Sequence, residues 1–184
     1  RMANVVIVNK VDTADPQKVK LVRENIKDVN PNATVLEAAS PITADNSEAV
    51  RGKRVLVIVD GPTLTHGGMA YGAGVVFAKK FGAAELVDPR PYAVGSIKEA
   101  YRKYTHLGAV LPALGYGERQ VAELKETIDR TPCDIVVIGT PIDLRRVIAI
   151  SKPTVRVKYE LRVLGPVSLE QILDEFIQRS RKER

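Results

Sequence analysis

The sequence lacks the features that would place it in a membrane or an oxidising compartment. Its single cysteine, Cys133, excludes an intramolecular disulfide and a cysteine-rich metal site. No apolar run approaches the ~18–20 residues that a membrane-spanning helix needs. The first residues do not have the pattern of a secretory signal. We therefore expect a cytoplasmic protein with no membrane partner.

Aromatic residues are also scarce, at 5% of the sequence with no tryptophan. The chain has no interleaving of aromatic and basic residues of the kind that RNA-binding sheets use. Its 28 Lys and Arg residues against 22 Asp and Glu residues give a net charge of +6. Without a nucleic-acid motif, this excess favours phosphorylated small molecules as partners, and we expect no nucleic-acid partner.

Short apolar runs rich in β-branched residues alternate with segments of helical periodicity. Most of these runs are apolar throughout, which is typical of strands covered on both faces. The alternation predicts an α/β fold with a mostly parallel, doubly wound, Rossmann-like sheet in three layers. The predicted strands are Val5–Val8, Thr34–Ala38, Val55–Val59, Glu85–Val87, Ala109–Leu111, Ile135–Ile138 and Thr154–Tyr159.

Helix signals fill the gaps between the strands, and a polar stretch at 44–53 suggests a domain boundary. Because parallel α/β sheets bind ligands at the carboxyl ends of their strands, chemistry is expected in the loops that follow the strands. Capping signals mark three helix starts, at Asp15 with Pro16, Ser96 with Glu99, and Ser168 with Gln171.

The first such loop, Asn9-Lys10-Val11-Asp12, is suited to reading a purine base. The Asp12 carboxylate can accept hydrogen bonds from guanine, the Lys10 stem can cover the base, and Asn9 can brace the loop. After the next strand, Ala39 and Ser40 are small enough to present a backbone amide to the base. The alternative is a loop before a helix with incidental polar residues. We predict nucleotide binding here.

No Gly-x-x-x-x-Gly-Lys-Ser/Thr sequence accompanies this loop. A loop that reads a base without one that binds the triphosphate is half of a nucleotide site. The simplest account is that the chain lacks an amino-terminal portion of the protein. We assign no metal ligand in this chain, and expect Mg²⁺ to bind in the full-length protein.

A second candidate loop, 60–74, is rich in glycine and follows the third predicted strand. Asp60 and His66 are its candidate catalytic residues, because a carboxylate at a strand end can hold a metal or orient a hydroxyl, and histidine can transfer protons. Thr65, Gly67 and Gly68 are candidates for binding a substrate phosphate. The alternative is a tight turn between strand and helix.

Two further loops supply arginines suited to phosphate. Arg90 lies between two prolines, and the alternative there is a surface salt bridge with Asp88. Thr140 and Arg145 follow the strand Ile135–Ile138, where the hydroxyl suits a phosphate and Arg145, or alternatively Arg146, can neutralise it. His106, before an apolar run, is interpreted as structural.

These loops together resemble the carboxy-terminal half of the archaeal cyclic 2,3-diphosphoglycerate synthetase family, whose wider relatives are called predicted GTPases. The resemblance lies in the motifs of 9–12, 60–69, 88–96 and 139–146. It implies an ATP-dependent ligase that closes a phosphoanhydride within a phosphorylated small molecule, whereas the base loop points to GTP. It also implies that 1–50 is the end of a P-loop NTPase domain and that 51–184 is a Rossmann-like substrate-binding domain.

Three functions follow as expectations. The first is the carboxy-terminal half of a nucleotide-dependent phosphoryl-transfer ligase, inactive as this fragment alone, for which a homo-oligomer is one possible assembly. The second is a regulatory or metallochaperone-type GTPase. The third is a non-enzymatic module that binds a phosphorylated metabolite.

Overall fold

The computed structural model of the chain describes residues 2–182. The strands, in chain order, are β1 Val5–Asn9, β2 Thr34–Ala39, β3 Ile42–Ala44, β4 Arg54–Asp60, β5 Glu85–Leu86, β6 Leu111–Ala113, β7 Ile135–Gly139, β8 Thr154–Tyr159 and β9 Arg162–Leu164. The helices are α1 Pro16–Val29, α2 Gly61–Thr65, α3 Ala73–Lys80, α4 Gly95–Lys103, α5 Glu118–Arg130 and α6 Leu169–Lys182. Three single-turn 3₁₀ helices lie at Glu48–Val50, Arg90–Tyr92 and Leu144–Arg146.

The chain divides into two compact units that are not continuous halves of the sequence. The smaller unit combines Arg1–Pro41 with Tyr159–Arg184, and the larger unit is Ile42–Lys158. The sequence led us to expect a division into 1–50 and 51–184. The last segment joins the first because β9 pairs antiparallel with β2. Periodicity within one segment carries no signal for a pairing so distant along the chain.

The smaller unit has a three-stranded sheet in the order β1-β2-β9. β1 and β2 are parallel, as expected of a strand–helix–strand unit connected by α1. Asp15 caps α1 by accepting a hydrogen bond from the Gln17 amide at 2.8 Å, which confirms the predicted cap. The side chains of 5–8 are only half-buried, although their sequence reads as a strand covered on both faces.

The larger unit is built on a sheet in the order β3-β8-β7-β4-β5, with β6 also pairing with β4. The pairs β4–β5, β4–β6, β4–β7 and β7–β8 are all parallel. The prediction of a mostly parallel, Rossmann-like α/β fold is therefore confirmed. The central strand β4 is buried from 55 to 59, with 55–58 fully shielded from solvent, whereas Arg54 is exposed and Asp60 is partly buried.

Alternate residues of the central strands face two separate apolar cores. Val57 and Val137 pack with Phe77 of α3 on one face. Leu56 and Ile138 pack with Ile128 of α5 on the other face. This alternation, with a period of two residues, places helices on both faces and produces the three layers.

Some boundaries predicted from the sequence are wrong. The expected strand Ala109–Leu111 begins later, at Leu111, and the short strands β3 and β9 have no clear apolar run of their own. The expected capping box of Ser96 with Glu99 does not form, because Ser96 bonds instead to Glu123 of α5, and Glu99 pairs with Arg102. The box at Ser168 and Gln171 does form, with reciprocal hydrogen bonds of 2.9 and 3.1 Å.

Within residues 2–182, no helix has the length and apolar character required to cross a membrane.

Candidate functional site

The predicted base loop follows directly from β1 in the smaller unit. The side-chain oxygen of Asn9 accepts hydrogen bonds from the Lys10 amide at 2.8 Å and from the Ser40 hydroxyl at 3.2 Å. Two loops that are distant in sequence are thus joined at one amide group. Register explains the meeting, since Asn9 of β1 lies opposite Ala38 of the parallel strand β2.

The backbone of this loop is held in a shape that its sequence does not favour. Lys10 has a φ of 62°, the left-handed region that side chains other than glycine rarely adopt. The neighbouring Val11 amide donates to the Ala38 carbonyl at 3.1 Å. Lys10 and Asp12 are both exposed, and Ala39 is buried at the end of β2. The loop therefore presents a lysine and an aspartate to solvent from a braced backbone.

In the larger unit, Asp60 is the last residue of the central strand β4. It lies opposite Ala113 of β6, and its predecessor Val59 lies opposite Gly139 of β7. A Cβ placed on Gly61 would lie 2.5 Å from the Ala113 carbonyl oxygen, so the chain beyond Asp60 passes hard against the end of β6. Asp60 is consequently flanked by the loops that follow β6 and β7.

The loop after β4 forms the short helix α2 and then turns back on itself. The Thr65 hydroxyl lies 3.0 Å from the Gly61 carbonyl and 3.0 Å from Nδ1 of His66. Gly67 passes so close to the Thr63 carbonyl that a Cβ would lie 2.5 Å from its oxygen, and Gly68 has a φ of 63°. His66 is exposed. Glycine is thus needed at both positions by the turn itself.

Arg90 is engaged by a carboxylate of its own loop. Its Nε and Nη2 donate to the Asp88 carboxylate at 2.9 and 2.6 Å, and its backbone amide donates to the same group at 3.0 Å. The side-chain bonds from Arg90 hold the pKa of Asp88 below its usual value. The salt-bridge alternative to phosphate binding is therefore present. β5 ends opposite Val55, near the start of β4, so this loop leaves the sheet well before the level of Asp60.

Arg145 lies between two carboxylates. It contacts Asp143 at 2.9 Å and Asp45 at 2.8 Å, and the hydrogen bond from Arg145 lowers the pKa of Asp143 to about 2. The Thr140 hydroxyl is turned inward and donates to the Ile142 carbonyl at 2.6 Å. The arginine and hydroxyl that the sequence suggests for a phosphate are thus bonded to groups of their own unit.

A comparison with known proteins adds one relative. The chain is similar to arginine synthetase ArcE of Thermococcus kodakarensis. The two are 60% identical over 182 residues, which amounts to 99% of this chain and 41% of the relative. The chain therefore spans about two-fifths of that protein's length. The relative's name differs from that of the synthetase family that the loops resemble. No protein-family model matches the chain.

Sequence reasoning assigned no role to Tyr116 or Asp45. Tyr116 stands between two glycines after β6, and its pKa is raised by burial and by the charge of Asp60. Asp45 follows β3 and accepts bonds from Arg145 and from the Arg156 amide. Neither has a sequence signal, because each depends on which strands are neighbours. His106 contacts the Leu64 carbonyl at 3.0 Å, as its structural interpretation requires.

Proposed function

We propose that this chain is part of a nucleotide-dependent synthetase that forms arginine, or consumes it in the reverse direction. The 60% identity to arginine synthetase ArcE over nearly the whole chain carries the proposal. Because the match covers 41% of that relative, the activity belongs to a longer protein. We propose a separate role for each of the two units.

The smaller unit is proposed to bind the purine base of ATP or GTP. The braced loop supports this role, because Asn9 fixes the backbone while Lys10 and Asp12 remain exposed to a ligand. Ala39 and Ser40 lie beside the loop through the pairing of β1 with β2. An aspartate at this place can accept two hydrogen bonds from guanine, which favours GTP.

The triphosphate and Mg²⁺ are proposed to bind to a part of the longer protein that this chain does not match. The chain has no Gly-x-x-x-x-Gly-Lys-Ser/Thr sequence to supply those contacts. β1 stands at the end of its sheet with half-buried apolar side chains at 5–8. Among residues 2–182, the backbone groups on the outer side of β1 have no strand partner, and they can pair with a further strand.

The larger unit is proposed to bind the amino acid. Its candidate phosphate ligands argue less well for an anion, since Arg90 is paired with Asp88 and Arg145 with two carboxylates. The charges of these loops largely cancel. A cationic substrate such as arginine meets no excess of positive charge there. His66, exposed after α2, stays a candidate for proton transfer.

A phosphorylated small molecule is the second candidate substrate. It is supported by the likeness of the loops to cyclic 2,3-diphosphoglycerate synthetases and by the start of α3. Gly72 precedes this helix without a side-chain cap, and the starts of helices attract anions. The two candidate substrates can be distinguished by asking which of them nucleotide cleavage requires.

The test uses the full-length protein in the reverse direction. Arginine and Mg²⁺ are incubated under two conditions. One contains a purine nucleoside diphosphate with phosphate, and the other contains a purine nucleoside monophosphate with pyrophosphate. We expect arginine-dependent formation of the nucleoside triphosphate, with loss of arginine measured by mass spectrometry. No triphosphate under either condition would exclude the proposal. Cleavage of ATP or GTP that requires 2,3-diphosphoglycerate would favour the second candidate.

A further inference from the structure

The carboxylate of Asp60 stands apart from the other acidic groups at the strand ends of the larger unit. Asp88 is paired with Arg90, and Asp143 is paired with Arg145. Among residues 2–182, no ion pair or hydrogen bond of the chain engages the Asp60 side chain, which does not cap α2 although it precedes that helix. Asp60 is partly buried. The Asp60 oxygens are not among the fully buried polar atoms of the described residues, so a ligand can reach them.

The position of Asp60 is suited to a ligand. It ends the central strand of a parallel sheet, which is where such sheets bind small molecules. The register with Ala113 and the close passage of Gly61 hold its backbone rigidly against β6. A side chain on a rigid strand end is positioned more accurately than one on a free loop.

Tyr116 lies in the same neighbourhood. It lies three residues after Ala113, the register partner of Asp60, and burial and then the charge of Asp60 raise the pKa of its phenol. Tyr116 is 38% exposed, so part of its ring faces solvent. A planar cation placed at Asp60 can lie against such a ring, an arrangement in which guanidinium groups are favoured over ammonium groups.

We infer that Asp60 recognises the guanidinium group of an arginine-type substrate, with the Tyr116 ring as one wall of the site. The inference rests on the proposed synthetase function. A carboxylate can bind a guanidinium through two parallel N–H···O bonds, which gives orientation as well as affinity. Asp60 is then a specificity-determining residue for the amino acid, with no role in reading the nucleotide.

The test compares Asp60→Asn with the wild type in the full-length protein. We expect the KM for arginine in the reverse reaction to rise by roughly tenfold to a hundredfold, the range for losing a hydrogen bond to a charged group. The affinity for nucleotide should not change. Calorimetric titration should show that the wild type prefers arginine to norvaline, which has no guanidinium, and that Asp60→Asn has largely lost this preference.

Glu85→Gln is the matched control. It also removes one exposed negative charge, but at the start of β5, which pairs with the start of β4 at the other end of the strands from Asp60, and its KM for arginine should stay at the wild-type value. If Asp60→Asn does not fold, Asp60→Glu keeps the charge and shifts it by one methylene, and it should still raise the KM.

Three results would overturn the inference. A folded Asp60→Asn with an unchanged KM for arginine would do so and leave the synthetase function standing. A variant that changes the Mg²⁺ requirement in place of the KM would identify Asp60 as a metal ligand. A wild-type protein that neither binds nor consumes arginine would remove the proposed function together with the inference.

Discussion

Asn9 and Ser40 meet through a hydrogen bond of 3.2 Å that joins the loops following two parallel strands. The same Asn9 oxygen accepts the Lys10 amide. One side chain thereby fixes the loop proposed to read the base and the loop beside it. This relationship makes the roles of the individual residues separable by substitution.

Asn9→Ala is expected to weaken nucleotide binding by the full-length protein and to lower the free energy of unfolding by about 1–2 kcal/mol, because it removes the acceptor for two hydrogen bonds. Ser40→Ala should cost less, since it removes only one. Thermal unfolding and nucleotide titration measure the two effects. Asn32→Ala, in the exposed turn before β2, is the control and should change neither. Equal effects of all three substitutions would contradict the bracing role of Asn9.

Asp12→Ala is expected to weaken nucleotide binding far more than it changes stability. Asp12 is exposed, so its loss removes no packing, whereas the base would lose two hydrogen bonds. Fluorescence titration with a labelled purine nucleotide gives the binding change, and urea unfolding gives the stability change. Equal losses in both measurements would argue against a base-reading aspartate.

Lys10→Gly and Lys10→Ala separate backbone strain from side-chain function. Both remove the stem proposed to cover the base, so both should weaken nucleotide binding to the same extent. Only glycine relieves the φ of 62°, which costs about 1 kcal/mol or more for a residue with a Cβ. We therefore expect Lys10→Gly to unfold at a higher temperature than Lys10→Ala. The reverse order of unfolding temperatures would show that the left-handed backbone stores no strain.

Glu123→Gln is expected to lower the free energy of unfolding at neutral pH. The variant should also lose less of this free energy in acid than the wild type does. The Glu123 carboxylate accepts bonds from the Ser96 hydroxyl, the Ser96 amide at 2.9 Å and Arg119 at 2.8 Å. These bonds lower the pKa of Glu123 from 4.5 to about 2, and the bond from the Ser96 hydroxyl has the largest effect. A lowered folded-state pKa contributes stability that is full above pH 4.5 and is lost as the pH falls toward 2.

Urea unfolding between pH 7 and pH 2 tests this expectation. The difference in the free energy of unfolding between wild type and Glu123→Gln should become smaller as the pH falls from 4.5 toward 2. Glu126→Gln is the control, because Glu126 pairs with Arg130 on the exposed side of the same helix and should give a small, nearly constant difference. A constant gap for Glu123→Gln would show that its charge contributes nothing.

Arg145→Lys is expected to destabilise the larger unit by up to about 1 kcal/mol, the range for ion pairs of partly exposed side chains. A lysine ammonium cannot reproduce the planar contacts with both Asp143 and Asp45. Arg146→Lys, at the exposed neighbouring position, should be neutral. Chemical denaturation measures both. A neutral Arg145→Lys would show that these ion pairs contribute no net stability.

Local sequence patterns are sufficient to predict the class of fold and the loops in which chemistry is expected. Unbroken apolar runs such as 55–59 can be satisfied only by burial on both faces, and capping pairs such as Ser168 with Gln171 act within one turn. Such local signals predicted the parallel sheet, most of its strands and the loops at their carboxyl ends.

The contacts that the side chains of those loops make depend on the tertiary structure. The partners of Arg90 and Arg145, the pairing of β9 with β2, and the nearness of Tyr116 to Asp60 depend on strand order and register. Residue type shows that an arginine can bind a phosphate, but it does not show whether a carboxylate has already neutralised it. That outcome is set by distances of a few ångströms between segments that only the folded chain brings together.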